Sequence, residues 1–281
     1  MRHLTDREAY AYVVPMTSRS LLRRLATLGA VTALSLTLVP LSPSSANHAR
    51  VPGPVNAANT YGWGKHVWQD DFVGPRKGIW AVSAPGAGNV RTQHGMLTLN
   101  TGRAGNVVAT LKGAGHAVGR WEIRLRSRQY SAAATSYRVR TELVPAAGRP
   151  ENCGARDVAL ESYRLGTNRA HFYIRTLPDL ESASRHGMNL GNDRWHTFAV
   201  EVTKSHISWF VDAHVVNTER RGQALSGVPL TVRFAMVGEQ GKRMNVSRMQ
   251  MDWLRYHTLR KPNTKSIAAP TPTAGRYGAA C

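Results

Sequence analysis

A chain of 281 residues, 42% hydrophobic and 19% charged, has the composition of a globular protein and excludes both a disordered polypeptide and a minimal domain. Its 37 Lys and Arg against 17 Asp and Glu give a formal charge of +20, a field that attracts polyanions without specifying a site. The eleven histidines show no pair at metal-ligand spacing, so a zinc site is not expected.

The first element is a targeting pattern. Arg19, Arg23 and Arg24 precede an apolar run from Leu25 to Leu41, and Ser44 and Ala46 then offer small residues at a cleavage site. Residues 1–46 are therefore expected to be a secretory signal, with Met16 as an alternative start. Pro40 interrupts the run, which is too short for a comfortable membrane span. Arg23 and Arg24 resemble a twin-arginine pair, but the residues around them fit that signal poorly. Cutting after Ala46 would remove five basic and two acidic residues and leave a formal charge of about +17. A secreted or wall-associated, monomeric protein is expected. In an oxidising compartment Cys153 and Cys281 would pair and pin the tail; two unpaired thiols are the alternative.

Residues 47–62 and 259–281 are rich in Pro, Asn, Ala and Thr and lack apolar periodicity, so they read as a linker and a tail. The block 63–258 between them reads as strands. In "GRWEIRLR" Trp121, Ile123 and Leu125 share one face, and Arg120, Glu122, Arg124 and Arg126 the other. In "SYRVRTELV" Tyr137, Val139, Thr141 and Leu143 oppose Arg138, Arg140 and Glu142. "HISWFVDAHVV" groups Ile207, Trp209 and Val211 and turns at Asp212-Ala213. No window after residue 46 sustains a helical period beyond two turns. Many strands without helices imply an all-β sandwich or barrel.

Several of these segments occur in the order used by glycoside hydrolase family 16, the laminarinase and lichenase relatives. "VWQDDF" (67–72) resembles that family's first strand and "GRWEIRLR" (119–126) its Gly-Arg-aromatic-Glu-x-Arg strand. "WHTFAVEVTKSHISWFVDAHVV" (195–216) resembles its long hairpin, and "MQMDWLRYH" (249–257) its closing strand. The resemblance implies a two-sheet β-sandwich of the concanavalin A-like jelly-roll type, with a sheet-lined groove that holds a polysaccharide. It also implies an acid motif, Glu-x-Asp-x-Glu or, with a bulge, Glu-x-Asp-x-x-Glu. Residues i, i+2 and i+4 of a strand share a face, so such acids project together. Retaining hydrolysis needs the outer pair about 5–5.5 Å apart.

The matching strand is "CGARDVALESY" (153–163). Without a bulge, Asp157, Ala159 and Glu161 share a face. Asp157 then takes the nucleophile position, Ala159 replaces the middle acid, and Glu161 keeps the acid/base role. A second alignment makes Asp157 the middle acid, with Ala155 where the nucleophile belongs. The motif is incomplete either way. A shorter Asp nucleophile withdraws by about 1 Å, which can cost roughly a hundredfold in rate. The two acids would equally serve to neutralise arginines on a solvated sheet face.

Where the family carries a Trp before a strand-ending Pro, this chain has Glu142, on the face of Arg138 and Arg140. Guanidinium forks there suit sulfate, phosphate or uronate groups. Tyr163, His171, Tyr173 and Arg175 are expected to flank the same groove. Three functions remain open: a glycosidase of altered mechanism, a non-catalytic glycan-binding protein on the same scaffold, and a uronate lyase, because "RTEL" (140–143) loosely resembles a strand of jelly-roll alginate lyases. The partner expected is a polysaccharide; nothing resembles a nucleic-acid module. No cofactor is expected, and the resemblance carries only a weak expectation of a structural calcium near Asp252.

Overall fold

The computed structural model describes residues 55–131, 134–146, 157–175, 179–185, 188–190, 192–225 and 227–271. The expected signal segment, the first half of the expected linker (47–54), Cys153, Cys281 and the end of the tail lie outside the described residues.

In chain order a short helix, α1 (Ala57–Thr60), is followed by strands β1 (Trp68–Asp70), β2 (Trp80–Ser83), β3 (Asn89–Gln93), β4 (Met96–Asn100), β5 (Val107–Leu111), β6 (Gly119–Gln129), β7 (Arg138–Pro145) and β8 (Asp157–Arg164). Then come β9 (Ala170–Arg175), β10 (Asp179–Arg185), β11 (His196–Val202), β12 (Ile207–Val211), β13 (His214–Glu219), β14 (Leu230–Val237) and β15 (Ser247–His257). They form two antiparallel sheets of a jelly-roll sandwich. One runs β13-β12-β11-β6-β15-β4-β3, with β1 also on β15; the other runs β10-β9-β8-β7-β14-β5-β2. Among the described residues no helix is long and apolar enough to cross a membrane.

Strand alternation builds the core. Trp121, Ile123 and Leu125 of β6 point inward with Trp209 of β12. From the other sheet come Val139 and Leu143 of β7 and Val232, Phe234 and Met236 of β14. All are nearly or wholly sealed from water. Period two in the sequence thus becomes two apolar faces pressed together. The turn at Asp212-Ala213 has both residues at positive φ, 44° and 63°, the pairing that a two-residue hairpin demands.

Short segments on either side of the block 63–258 pack against it. Asn56 caps α1, its side chain accepting from the Asn59 amide at 2.8 Å. The first helical amides, Ala57 and Ala58, donate to the buried carboxyl of Glu122 on the outer face of β6. Burial pushes Glu122 up to about 7, against the pull of those two amides and Arg255. Downstream of β15, the Thr258 and Lys261 carbonyls accept from Arg120 at 3.2 and 2.7 Å. Ser266 donates to Glu201 at 2.9 Å, and the Thr218 amide donates to the Pro270 carbonyl at 2.9 Å. The downstream segment docks largely through polar contacts, while Ala57 and Ala58 also pack with Trp63, Ala199 and Phe210; both segments are too short to show an apolar period in the sequence.

Candidate functional site

The outer face of the seven-stranded sheet gathers most of the residues singled out in the sequence. On β7, Val139 and Leu143 enter the core, which leaves Arg138, Arg140 and Glu142 on the outer side. On β14, Arg233 stands opposite Glu142 in register. Its Nε and Nη2 donate to one Glu142 oxygen at 3.2 and 2.9 Å. Tyr173 donates its hydroxyl to the other oxygen at 3.3 Å, and an Arg140 nitrogen lies 3.9 Å from it. Glu142 is buried to 1% exposure while Arg233 and Arg140 remain partly open, so one carboxylate holds two guanidiniums at the surface. Tyr173 is buried and His171 half-buried. They share the outer side of β9, because Phe172 and Ile174 between and beyond them are core.

Strand β8 departs from regular alternation. Thr141 pairs with Glu161, and its neighbour Glu142 pairs with Ala159, so Leu160 is an extra residue on β8. The β8–β9 ladder shifts over the same stretch. Beyond the bulge, Glu161 stands opposite Thr141, which itself pairs with the core residue Phe234. Glu161 therefore lies on the interior side, as do Tyr163 and Leu165. Its exposure is 0%; Thr141 donates a hydroxyl to it at 2.6 Å, and its second oxygen meets no partner among the described residues. Burial, reinforced by the charge of Glu142, pushes it up to about 8 despite the Thr141 hydrogen bond. The carboxyl is a neutral group inside the sandwich at physiological pH.

The bulge is held from across the core. The Trp209 indole, rooted in the opposite sheet, donates to the Ala159 carbonyl at 2.8 Å. That acceptor sits where the ladder is interrupted, and a buried carbonyl without a partner would cost roughly 1–3 kcal/mol.

Two expectations are corrected here. The common face expected for Asp157, Ala159 and Glu161 required unbroken alternation; the bulge turns Glu161 inward. Tyr163 does not flank the outer face but points into the core, its hydroxyl 2.6 Å from Ser127 of β6. Its phenol is held well above the usual range by burial and by Glu161. Asp157 opens β8 opposite Arg175; the side chains of both lie outside the described residues. Two outer-face residues escaped the sequence reading. Arg233 is the one charged residue in "LTVRFAMV", which marks an outer position, but its pairing with Glu142 needed the strand order. Ser162 pairs with Arg140 and His171, a register that only the bulge creates.

Around Asp252, where the resemblance carried a weak expectation of calcium, the acid is engaged by a neighbouring arginine. Its carboxylate is taken by Arg124 at 2.6 Å, and among the described residues no three His, Cys, Asp or Glu side chains converge as ligands.

No protein-family model matches the chain, and no curated protein does. Solved structures match its fold. One comes from work on endo-acting O-glycanases with which human gut bacteria initiate mucin breakdown; it is 17% identical, covers 70% of this chain and 100% of its own, and has a TM-score of 0.58. The catalytic domain of an endo-1,3-β-glucanase (laminarinase) from Thermotoga petrophila is 14% identical, with coverage of 70% and 98% and a TM-score of 0.57. A Glu-to-Ser variant of a family 16 endo-β-1,3(4)-glucanase, holding an oligosaccharide in its active site, is 16% identical, with coverage of 69% and 94% and a TM-score of 0.56. The chain has the fold of the family 16 laminarinases and endo-glucanases. In the longer spacing of that family's motif the additional residue sits in a bulge.

Proposed function

We propose that this protein binds an anionic polysaccharide on the outer face of the seven-stranded sheet and does not hydrolyse it by the two-carboxylate route. One observation carries the reading: the bulge at Leu160 withdraws Glu161 into the sandwich and leaves Ala159 and Ser162, both fully buried, on the outer side of the sheet in its place. A serine hydroxyl near its ordinary acidity does not protonate a glycosidic oxygen at neutral pH. The polar groups that remain outward are arginines restrained by Glu142, together with His171 and Tyr173. Restrained guanidiniums recognise carboxylates in pairs and lose little freedom on binding. Uronate polymers are the substrate class that this face suits. A signal at residues 1–46 would deliver the protein to the cell exterior or wall, where such polymers occur.

The test is affinity electrophoresis of the chain lacking residues 1–46 in gels containing polygalacturonate, alginate or neutral β-glucan. Retardation is expected in the acidic gels, weakened about tenfold in affinity by Arg233→Ala, which frees Glu142 to repel the ligand. Retardation by neutral glucan alone would defeat the reading. A second reading, β-elimination on the same uronates, draws on Arg140, Glu142, Tyr173 and His171 sharing one face. It predicts an unsaturated product absorbing in the near ultraviolet, which simple binding does not form.

A further inference from the structure

On the outer face of the other sheet, guanidiniums recur along and across strands. Arg124, Arg126 and Arg128 occupy alternate positions of β6, on the side opposite the core residues Trp121, Ile123 and Leu125. Alternate residues of a strand lie about 6.6 Å apart, and neighbouring strands about 4.8 Å. Arg248 of β15 stands directly opposite Arg128. Through Gln250 and Thr98 the row that starts at Arg126 continues to Arg91, which is exposed.

Like charges in direct opposition repel, so such a sheet face needs a reason to persist. Here the guanidiniums are fixed rather than dispersed. The Trp195 ring lies against two of them, the Arg124 and Arg126 carbons each 4.5 Å from its centroid. Tyr130 does the same for Arg128 and Arg248 at 5.5 and 6.0 Å. Asp193 sits 2.6 Å from Arg248, 3.4 Å from Arg128 and 4.0 Å from Arg126. Asp252 is the other acid, on Arg124. Five guanidiniums thus face two carboxylates, and those in ion pairs stay between 20 and 52% exposed. The buried Nε donors of Arg124 and Arg248 meet no partner among the described residues.

We infer that this array is a second binding face, separate from the seven-stranded sheet, for a densely charged glycan carrying more than one anionic group per sugar, as in a sulfated polysaccharide. Three arguments select that ligand. Arg126, Arg128 and Arg248 stem from neighbouring positions of the sheet, about 5–7 Å apart along β6 and across to β15, so a ligand meets them together only by presenting several anions over a short length. Trp195 is engaged by two guanidiniums, and Tyr130, half exposed, is the one open ring of the array, whereas single-stranded nucleic acid stacks successive bases on several rings. Guanidiniums clamped by rings and by Asp193 have paid their ordering entropy before the ligand arrives. The inference is independent of the reading of the seven-stranded sheet.

The test is calorimetric titration of heparin into the folded chain over a range of salt. The triple variant R126A/R128A/R248A is expected to weaken binding by tenfold or more and to reduce the slope of log K against log salt by about two to three. The control K112A/K204A/K265A removes the same charge from exposed lysines elsewhere and is expected to change affinity less than about twofold. Trp195→Ala, with charge unchanged, is expected to weaken heparin several-fold because the guanidiniums lose their support. Circular dichroism and melting temperature establish that each variant is folded, and Arg126→Lys with Arg128→Lys offers a milder probe of the same fork geometry. An equal loss in the lysine control, or no loss in the triple variant, would overturn the inference. So would duplex DNA displacing heparin at equal charge concentration. Loss of heparin binding only on Arg140→Ala would place the ligand on the other sheet and leave the first reading standing.

Discussion

Glu161 shows how little a residue's identity says about its role until its neighbours are known. A carboxyl at the end of an acid motif is expected to face substrate; here it is neutral and enclosed. That has a measurable consequence. Its folded value of about 8 lies above the ordinary carboxyl value, so the folded state keeps a proton that the unfolded state releases. Stability contributed by the protonated form is complete at acidic pH and is lost as pH rises from about 4.5 to about 8, at roughly 1.4 kcal/mol per unit. Glu122, pushed to about 7, adds a parallel loss that ends earlier. Melting temperatures of the protein and of Glu161→Gln between pH 5 and pH 8 are expected to converge, because the amide does not ionise. Parallel curves would show that Glu161 is ionised in the fold, and hence not where the structure places it.

At the scale of the strand, the bulge in β8 decides which side chains face outward, and Trp209 supports it from the opposite sheet. Trp209→Phe keeps most of the packing but removes the indole donor to Ala159. A loss of about 1–3 kcal/mol in chemical denaturation is expected; a change below about 0.5 kcal/mol would mean that the carbonyl is satisfied otherwise. The hairpin turn offers the opposite sign. Ala213 holds φ at 63°, where a side chain crowds the backbone, so Ala213→Gly is expected to raise stability by about 1 kcal/mol in the same assay. The strands themselves were readable, because alternation of Trp121, Ile123 and Leu125 or of Val139 and Leu143 is a local pattern. The bulge was not. It inserts one residue without Gly or Pro to mark it, and its position is fixed by pairing with Thr141 and Glu142, some twenty residues away. For the same reason Arg233 could be assigned an outer position but not a partner.

At the scale of the molecule, arginines among the described residues gather on two different surfaces. On the seven-stranded sheet a buried carboxylate tempers Arg140 and Arg233; on the other sheet rings and two aspartates, Asp193 and Asp252, marshal guanidiniums into rows. Net charge alone could not separate these arrangements. Nor could composition reveal how residues 55–62 and 258–271 pack, since they dock through scattered polar contacts and a small cluster of Ala57, Ala58 and Trp63 with Ala199 and Phe210. The claim on which the functional reading turns is that acidic glycan is held and left intact. The most direct measurement is to incubate the folded chain with the polysaccharide that retards it and to assay new reducing ends alongside Glu161→Gln and Asp157→Asn. The account predicts that no reducing ends appear and that all three proteins bind equally. Release of reducing ends by the unaltered protein, abolished by Glu161→Gln, would contradict it.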